Sequence, residues 1–185
     1  MTHQALTGEE LDTLFKTCQE SAFRLEALQD YTVFSEGDAE RRRAFHEGRP
    51  IPVSPGKAED MQFWQEATAA GKRFHRVHVI DLPLTPYLEF ELAVYPENVA
   101  AGEDVRIADR AQHPGLAELT EDFLLFDGDT DQPVAVLFRY TPDGDLLSWD
   151  RSDDPDDIAR CRAQRYLALA HSVPLERFRA MVRTE

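Results

Sequence analysis

Cysteine, positive charge and long apolar runs are all scarce in this chain. Among 185 residues the only cysteines are Cys18 and Cys161. There is no Cys-x-x-Cys and no Cys/His ligand spacing, so neither a thiol redox motif nor a zinc knuckle is written here. Both thiols are expected inside helices as small apolar side chains, with no disulfide between them. Lys and Arg number 20 against 35 Asp and Glu, for a net charge of −15. That balance argues against direct nucleic-acid binding, which rests on cations neutralising phosphates. It argues equally against docking on an anionic membrane surface. No run of about 18 apolar residues exists, so no transmembrane helix is expected. The opening Met1-Thr2-His3-Gln4 lacks a basic region followed by an apolar one, which reads as no signal peptide and a cytoplasmic location. The glycines stand alone. Without Gly-x-Gly-x-x-Gly, a Walker pattern or a Gly-x-Ser-x-Gly elbow, no cofactor is expected. No internal repeat or low-complexity tract appears.

What remains is a globular composition, 42% hydrophobic and 30% charged. A chain of this length buries roughly 70% of its unfolded surface, enough for one core, and residues 1–185 read as a single domain. Charge is unevenly spread. Residues 121–157 hold twelve acids and two bases; residues 158–185 hold six arginines and two glutamates; residues 41–80 hold eight bases and four acids. The basic segments can dock on the acidic stretch, or that stretch can be a solvated face. The second reading is the simpler.

Periodicity supplies the elements. Thr7-Gly8-Glu9-Glu10 reads as a capping box, followed by Leu11, Leu14, Phe15 and Cys18 on one stripe of a helix over 8–19. Ala22–Leu28 alternates as a strand with Arg24 and Glu26 on a wet face, and Tyr31–Phe34 reads as its hairpin partner. Ser35 with Asp38 starts a helix that stops at Gly48. Arg49–Gly56 carries three prolines and reads as a loop. Lys57–Ala70 is helical, ending at Gly71. Arg73–Ile80 is a strand with Phe74, Arg76, His78 and Ile80 on one face. Thr85-Pro86 is a helix start, predicting a helix to Tyr95, stopped by Pro96. The same stretch, with Glu89 and Glu91, also alternates as a strand; the cap favours helix. Strands follow at Asp104–Asp109, Phe123–Asp127, Val134–Tyr140 and Leu146–Trp149, the last three forming an antiparallel meander across short links. Asp153-Asp154-Pro155 opens a long helix whose buried stripe reads as Ala159, Ala163, Tyr166, Leu167 and Ala170, and Leu175–Val182 closes the chain as a short helix. The sum is an α+β fold: a mainly antiparallel sheet of about five to seven strands packed by N-terminal, middle and C-terminal helices.

Several clusters imitate chemistry. Asp127-x-Asp129-x-Asp131 resembles a calcium loop, but positions six and twelve hold Gln132 and Phe138 where glycine and glutamate are needed. His75 and His78 point to opposite faces of their strand and cannot share a metal. No metal site is assigned. Arg41–Arg43 reads as a solvated helix face.

Five short motifs occur in order: Ala22–Glu26 with Tyr31; Arg76-Val77-His78-Val79; Pro83-Leu84 with Tyr87; Ala101–Arg106; and Asp122–Asp127. Together they resemble an actinobacterial family of unknown function, over residues 20–178. Genes of that family often neighbour genes for Xre-type helix-turn-helix regulators. His78 stands where the strand motif would carry arginine. The family brings no catalytic residues, and the chain is expected to be non-enzymatic. The resemblance implies a regulatory accessory protein whose partner is a helix-turn-helix regulator. The residues offered for an interaction surface or pocket are Arg24, Glu26, Arg76, Tyr87, Glu103, Asp104, Arg106 and Asp122. Mixed charges on short apolar strands must pair if a helix covers them, because unpaired burial is costly. Two alternatives stand beside this. One is a metal-dependent hydrolase or nuclease-like toxin using Glu103, Asp104, Asp122 or Asp127. The other is a small-molecule sensor walled by Trp64, Tyr87, Phe90 and Trp149.

Overall fold

A computed structural model describes residues 4–32 and 36–182. The N-terminal segment places strand β1 (Gln4–Ala5), helix α1 (Gly8–Thr17) and strand β2 (Ser21–Glu26). Helices α2 (Glu36–His46) and α3 (Pro55–Ala69) then lead to β3 (Arg73–Ile80). Helix α4 (Pro86–Ala100) connects β3 to β4 (Asp104–Asp109). Strands β5 (Phe123–Phe126), β6 (Val134–Tyr140) and β7 (Leu146–Ser152) follow, then α5 (Pro155–Ala170), β8 (Val173–Pro174) and α6 (Leu175–Val182).

The sheet corrects the expected strand count. It has eight strands in the order β1-β7-β6-β5-β2-β3-β4-β8. It is also not purely antiparallel: β2–β3 and β3–β4 are parallel, whereas the other five neighbouring pairs are antiparallel, so the mainly antiparallel character holds. Helices α2 and α3 make the crossover from β2 to β3, and α4 that from β3 to β4; parallel strands need such a connection. The β5-β6-β7 meander is antiparallel as expected. The hairpin after β2 is absent among the described residues. Tyr31 and Thr32 lie outside any strand, and β2 pairs instead with β3 and β5. The rest of that expected strand, Val33 and Phe34, and the expected cap Ser35 lie outside the described residues. The alternation there reflects a side chain turned inward: the Tyr31 hydroxyl donates to Asp122.

Local signals explain the helices. Thr7 and Glu10 form the expected capping box on α1. Ser54 caps α3, so the proline-rich loop ends one residue before Pro55. Thr85 caps α4, which settles the helix–strand ambiguity of 85–95. That helix does not stop at Pro96 but continues to Ala100. Pro96 forfeits one intrahelical bond, and the next turn is tethered from outside by Arg41–Glu97 and Asn98–Glu103 contacts. Asp154 caps α5. The buried stripe of α5 is Ile158, Cys161, Arg165 and Ala168, whereas Ala159, Ala163, Tyr166 and Ala170 are exposed. A buried arginine inside the stripe displaced the sequence reading by one position. The C-terminal arginines do meet the acidic stretch: Arg160 bonds Glu121 and Asp157, Arg162 bonds the Gly128 and Thr130 carbonyls, and Arg165 bonds Asp129. The solvated-face reading therefore yields, in part, to intramolecular docking.

The two faces of the sheet differ. One carries Phe23, Leu25, Val77, Val79, Phe123, Leu125 and Leu137 under α5, a continuous apolar core. The other holds two separate apolar clusters. Phe74, Leu124, Phe126 and Phe138 pack beneath residues of α1 and α3, while Ile80, Val105 and Ile107 pack beneath α4 and α6. Charged side chains lie between them.

Candidate functional site

This second face carries Arg24 and Glu26 from β2 and, in register beside them, Arg76 and His78 from β3. The sequence reading put Arg24 and Glu26 on a wet face. Helices cover that face instead, and Glu26 is 4% exposed. Helix α4 adds Tyr87, Glu91 and Tyr95 at i, i+4 and i+8, one stripe aimed at the sheet. Glu103 enters just before β4 and Asp122 just before β5.

Glu26 is the centre. Its carboxylate accepts from Arg76 Nη1 at 2.8 Å, and lies 3.2 Å from the Tyr95 hydroxyl oxygen and 3.0 Å from Arg24 Nε. That last contact is an ion pair without hydrogen-bond alignment, since Arg24 Nε has no acceptor. Burial alone would raise the Glu26 pKa, but Arg24 and Arg76 hold it well below the usual carboxylate range. Arg76 also donates through Nε to Glu103 at 2.9 Å, and Asn98 Nδ2 donates to the other Glu103 oxygen at 2.6 Å. Lys57 Nζ completes this arm by donating to Asn98 Oδ1. The Arg24 guanidinium stacks over Phe138 and that of Arg76 over Tyr95.

His78 is fully buried and neutral, its pKa lowered by burial. Nε2 lies 3.1 Å from the Leu28 carbonyl, which can only accept, so the proton sits on Nε2. Nδ1 then accepts from the Tyr95 hydroxyl at 2.7 Å. At the far end, Asp122 accepts from Tyr31 at 2.6 Å and from the Ala27 amide at 2.8 Å. Burial raises its pKa to about 6 against the pull of Arg24. Glu91 is raised to about 7 by burial, with the Glu26 charge adding.

Six of the eight residues offered from sequence thus belong to this belt or its ends: Arg24, Glu26, Arg76, Tyr87, Glu103 and Asp122. The other two do not. Asp104 is exposed and pairs with His75 at 3.5 Å. Arg106 donates to the Ser172 hydroxyl and carbonyl. Register accounts for both, because Asp104 and Arg106 align with His75 and Val77 on the opposite face. The carboxylates named for hydrolysis are scattered too, Asp122 and Asp127 lying at opposite ends of β5. Asp127 accepts from the Gln19, Glu20 and Ser21 amides at the start of β2, far along the strand from Asp122. Among the described residues, no group of three or more His, Cys, Asp or Glu is arranged to hold a metal. Sequence reasoning passed over Tyr95, Asn98 and Lys57. The spacing Tyr87-Glu91-Tyr95 was the available signal once the segment was read as helix.

The belt borders a cleft of about 420 Å³ between α1 and α3. Phe15, Phe63, Trp64 and Phe74 form its walls, Arg24 and Arg76 lie at its floor, and Asp12, Glu59 and Asp60 share its rim with Lys16. The four aromatics named as pocket walls do not converge. Trp64 lines this cleft, Tyr87 and Phe90 line a separate cavity of about 210 Å³ with Glu91, and Trp149 packs on Phe138.

Fold and site together define an α+β protein with a mixed sheet and a buried, mutually neutralised ionic belt beside an aromatic cleft. A family model described as a domain of unknown function (DUF6879) matches residues 9–180, and the chain belongs to that family. No curated protein matches it. Among the described residues, no helix is long and apolar enough to cross a membrane.

Proposed function

We propose that this chain is a non-enzymatic regulatory accessory protein that binds a basic, helix-turn-helix regulator by protein–protein contact. The observation carrying this reading is how the bases are used. Arg24, Arg41, Arg76, Arg110, Arg160, Arg162 and Arg165 are engaged by partners within the chain. With those cations engaged inside the chain, the net charge of −15 leaves acids in excess of available bases. Such an excess speeds encounter with a basic partner and excludes phosphate backbones. The belt serves as framework: its charges satisfy one another and hold α3 and α4 on the sheet.

The test is a pull-down of the tagged full chain from its own host lysate, read for a helix-turn-helix regulator, followed by operator binding of that regulator with and without the chain. A salt-sensitive complex and a changed operator affinity are expected. No complex, or operator binding left unchanged, overturns the reading.

A further inference from the structure

We propose that the α1–α3 cleft receives an arginine side chain from a basic protein segment. Three observations meet there. First, acids outnumber bases at the rim, where Asp12, Glu59 and Asp60 face only Lys16. Among the described residues none of Asp12, Glu59 and Asp60 has an ion-pair partner. Lys57, the cation whose field reaches Asp60, gives its ammonium to Asn98. Second, the walls are aromatic. Phe15 and Trp64 meet edge-to-face at 5.2 Å, and Trp64 meets Phe74 at 4.3 Å. A guanidinium stacks on such rings, and its aliphatic stem packs against them. Third, the cleft, at about 420 Å³, has room for a side chain with its flanking backbone.

The competing ligand chemistry is an anion on Arg24 and Arg76 at the floor. Glu26 and Glu103 already neutralise those guanidiniums. An anion would also have to pass three carboxylates. Arginine suits the rim better than lysine, because its planar fork donates to two carboxylates while stacking. Asp60 feels this arrangement in the free protein: burial raises its pKa, and Asp12 and Glu59 add to the effect. An incoming guanidinium relieves that repulsion.

This inference deepens the proposed function. It rests on the partner being a basic protein, and the regulator's identity is tested separately. The full chain is titrated with an acetylated, amidated tetra-arginine peptide and followed by amide NMR, with tetra-lysine as the comparison. Shifts centred on Phe15, Asp60 and Trp64 are expected. Affinity should fall at least tenfold in the triple variant D12N/E59Q/D60N and severalfold for tetra-lysine. That variant should melt no lower than the parent, since it removes repelling exposed charges; W64L tests the aromatic wall separately. Shifts spread over the acidic surface, equal affinity for tetra-lysine, or an unchanged affinity in the triple variant overturns the cleft assignment. The two readings fail differently. Regulator binding that survives the triple variant refutes the cleft alone. Peptide binding in the cleft without any regulator complex refutes the regulator alone.

Discussion

The two faces of one sheet are held down by different physics. Under α5 the contacts are apolar except where the buried Arg165 reaches Asp129, and Leu25, Val77, Phe123, Leu125 and Cys161 are almost wholly buried. Under α3 and α4 the apolar contact is interrupted by Arg24, Glu26, Arg76, His78 and Tyr95. An apolar core is forgiving of electrostatic change and sensitive to volume. A buried ionic belt is the reverse. It tolerates loss of a whole neutral pair and resists loss of one member, because the survivor is left charged in a low-dielectric site. The first face is suited to stability. The second fixes the position of α3, and with it one wall of the cleft.

That contrast can be broken experimentally, starting with the largest effect. Arg76→Met leaves Glu103 and part of Glu26 unpaired and should cost about 3–5 kcal/mol. Leu125→Ala on the apolar face should cost about 2–5 kcal/mol by transfer and cavity terms, with the same value at pH 5 and pH 8. Urea unfolding at both pH values measures each.

Glu91 gives a smaller and signed effect. Its folded pKa of about 7 lies above the ordinary 4.5, so the folded state binds the proton more tightly. This term leaves stability undiminished below about pH 4.5 and lowers it as pH rises through 7. Asp122, raised to about 6, acts in the same direction over a lower window. Glu26 is opposite in sign, its stabilisation being lost only under acid. Glu91→Gln should therefore stabilise by about 1–3 kcal/mol at pH 8, have little effect at pH 4.5, and flatten the pH dependence between. A variant with unchanged pH dependence would refute the burial of that carboxyl. The smallest effect belongs to Asp154→Ala. It removes the α5 cap and should cost about 1 kcal/mol at either pH.

Much of the fold was legible because local signals were strong. The capping box at Thr7 and Glu10, the Thr85-Pro86 start and the Asp154-Pro155 start all cap helices in the structure. The strand faces of 73–80 followed from alternation alone. What escaped was non-local. Whether β2 pairs with β3 in parallel or turns back as a hairpin is decided by where α2 and α3 pack, and no window around Tyr31 contains that information. The strands β1 and β8 have two residues each and carry no period. The belt was half legible. Mixed charges on Arg24, Glu26 and Arg76 announced pairing. The faces of Asp104 and Arg106 depended on the β3–β4 register.

The central claim is that the belt works as neutral pairs. Its most direct measurement is a double-mutant cycle on Arg76 and Glu103 by urea unfolding. Arg76→Met and Glu103→Gln should each destabilise strongly. Together they should cost less than the sum of the singles, by about 1–3 kcal/mol, since Arg24 remains to balance Glu26. Strictly additive losses would contradict the account.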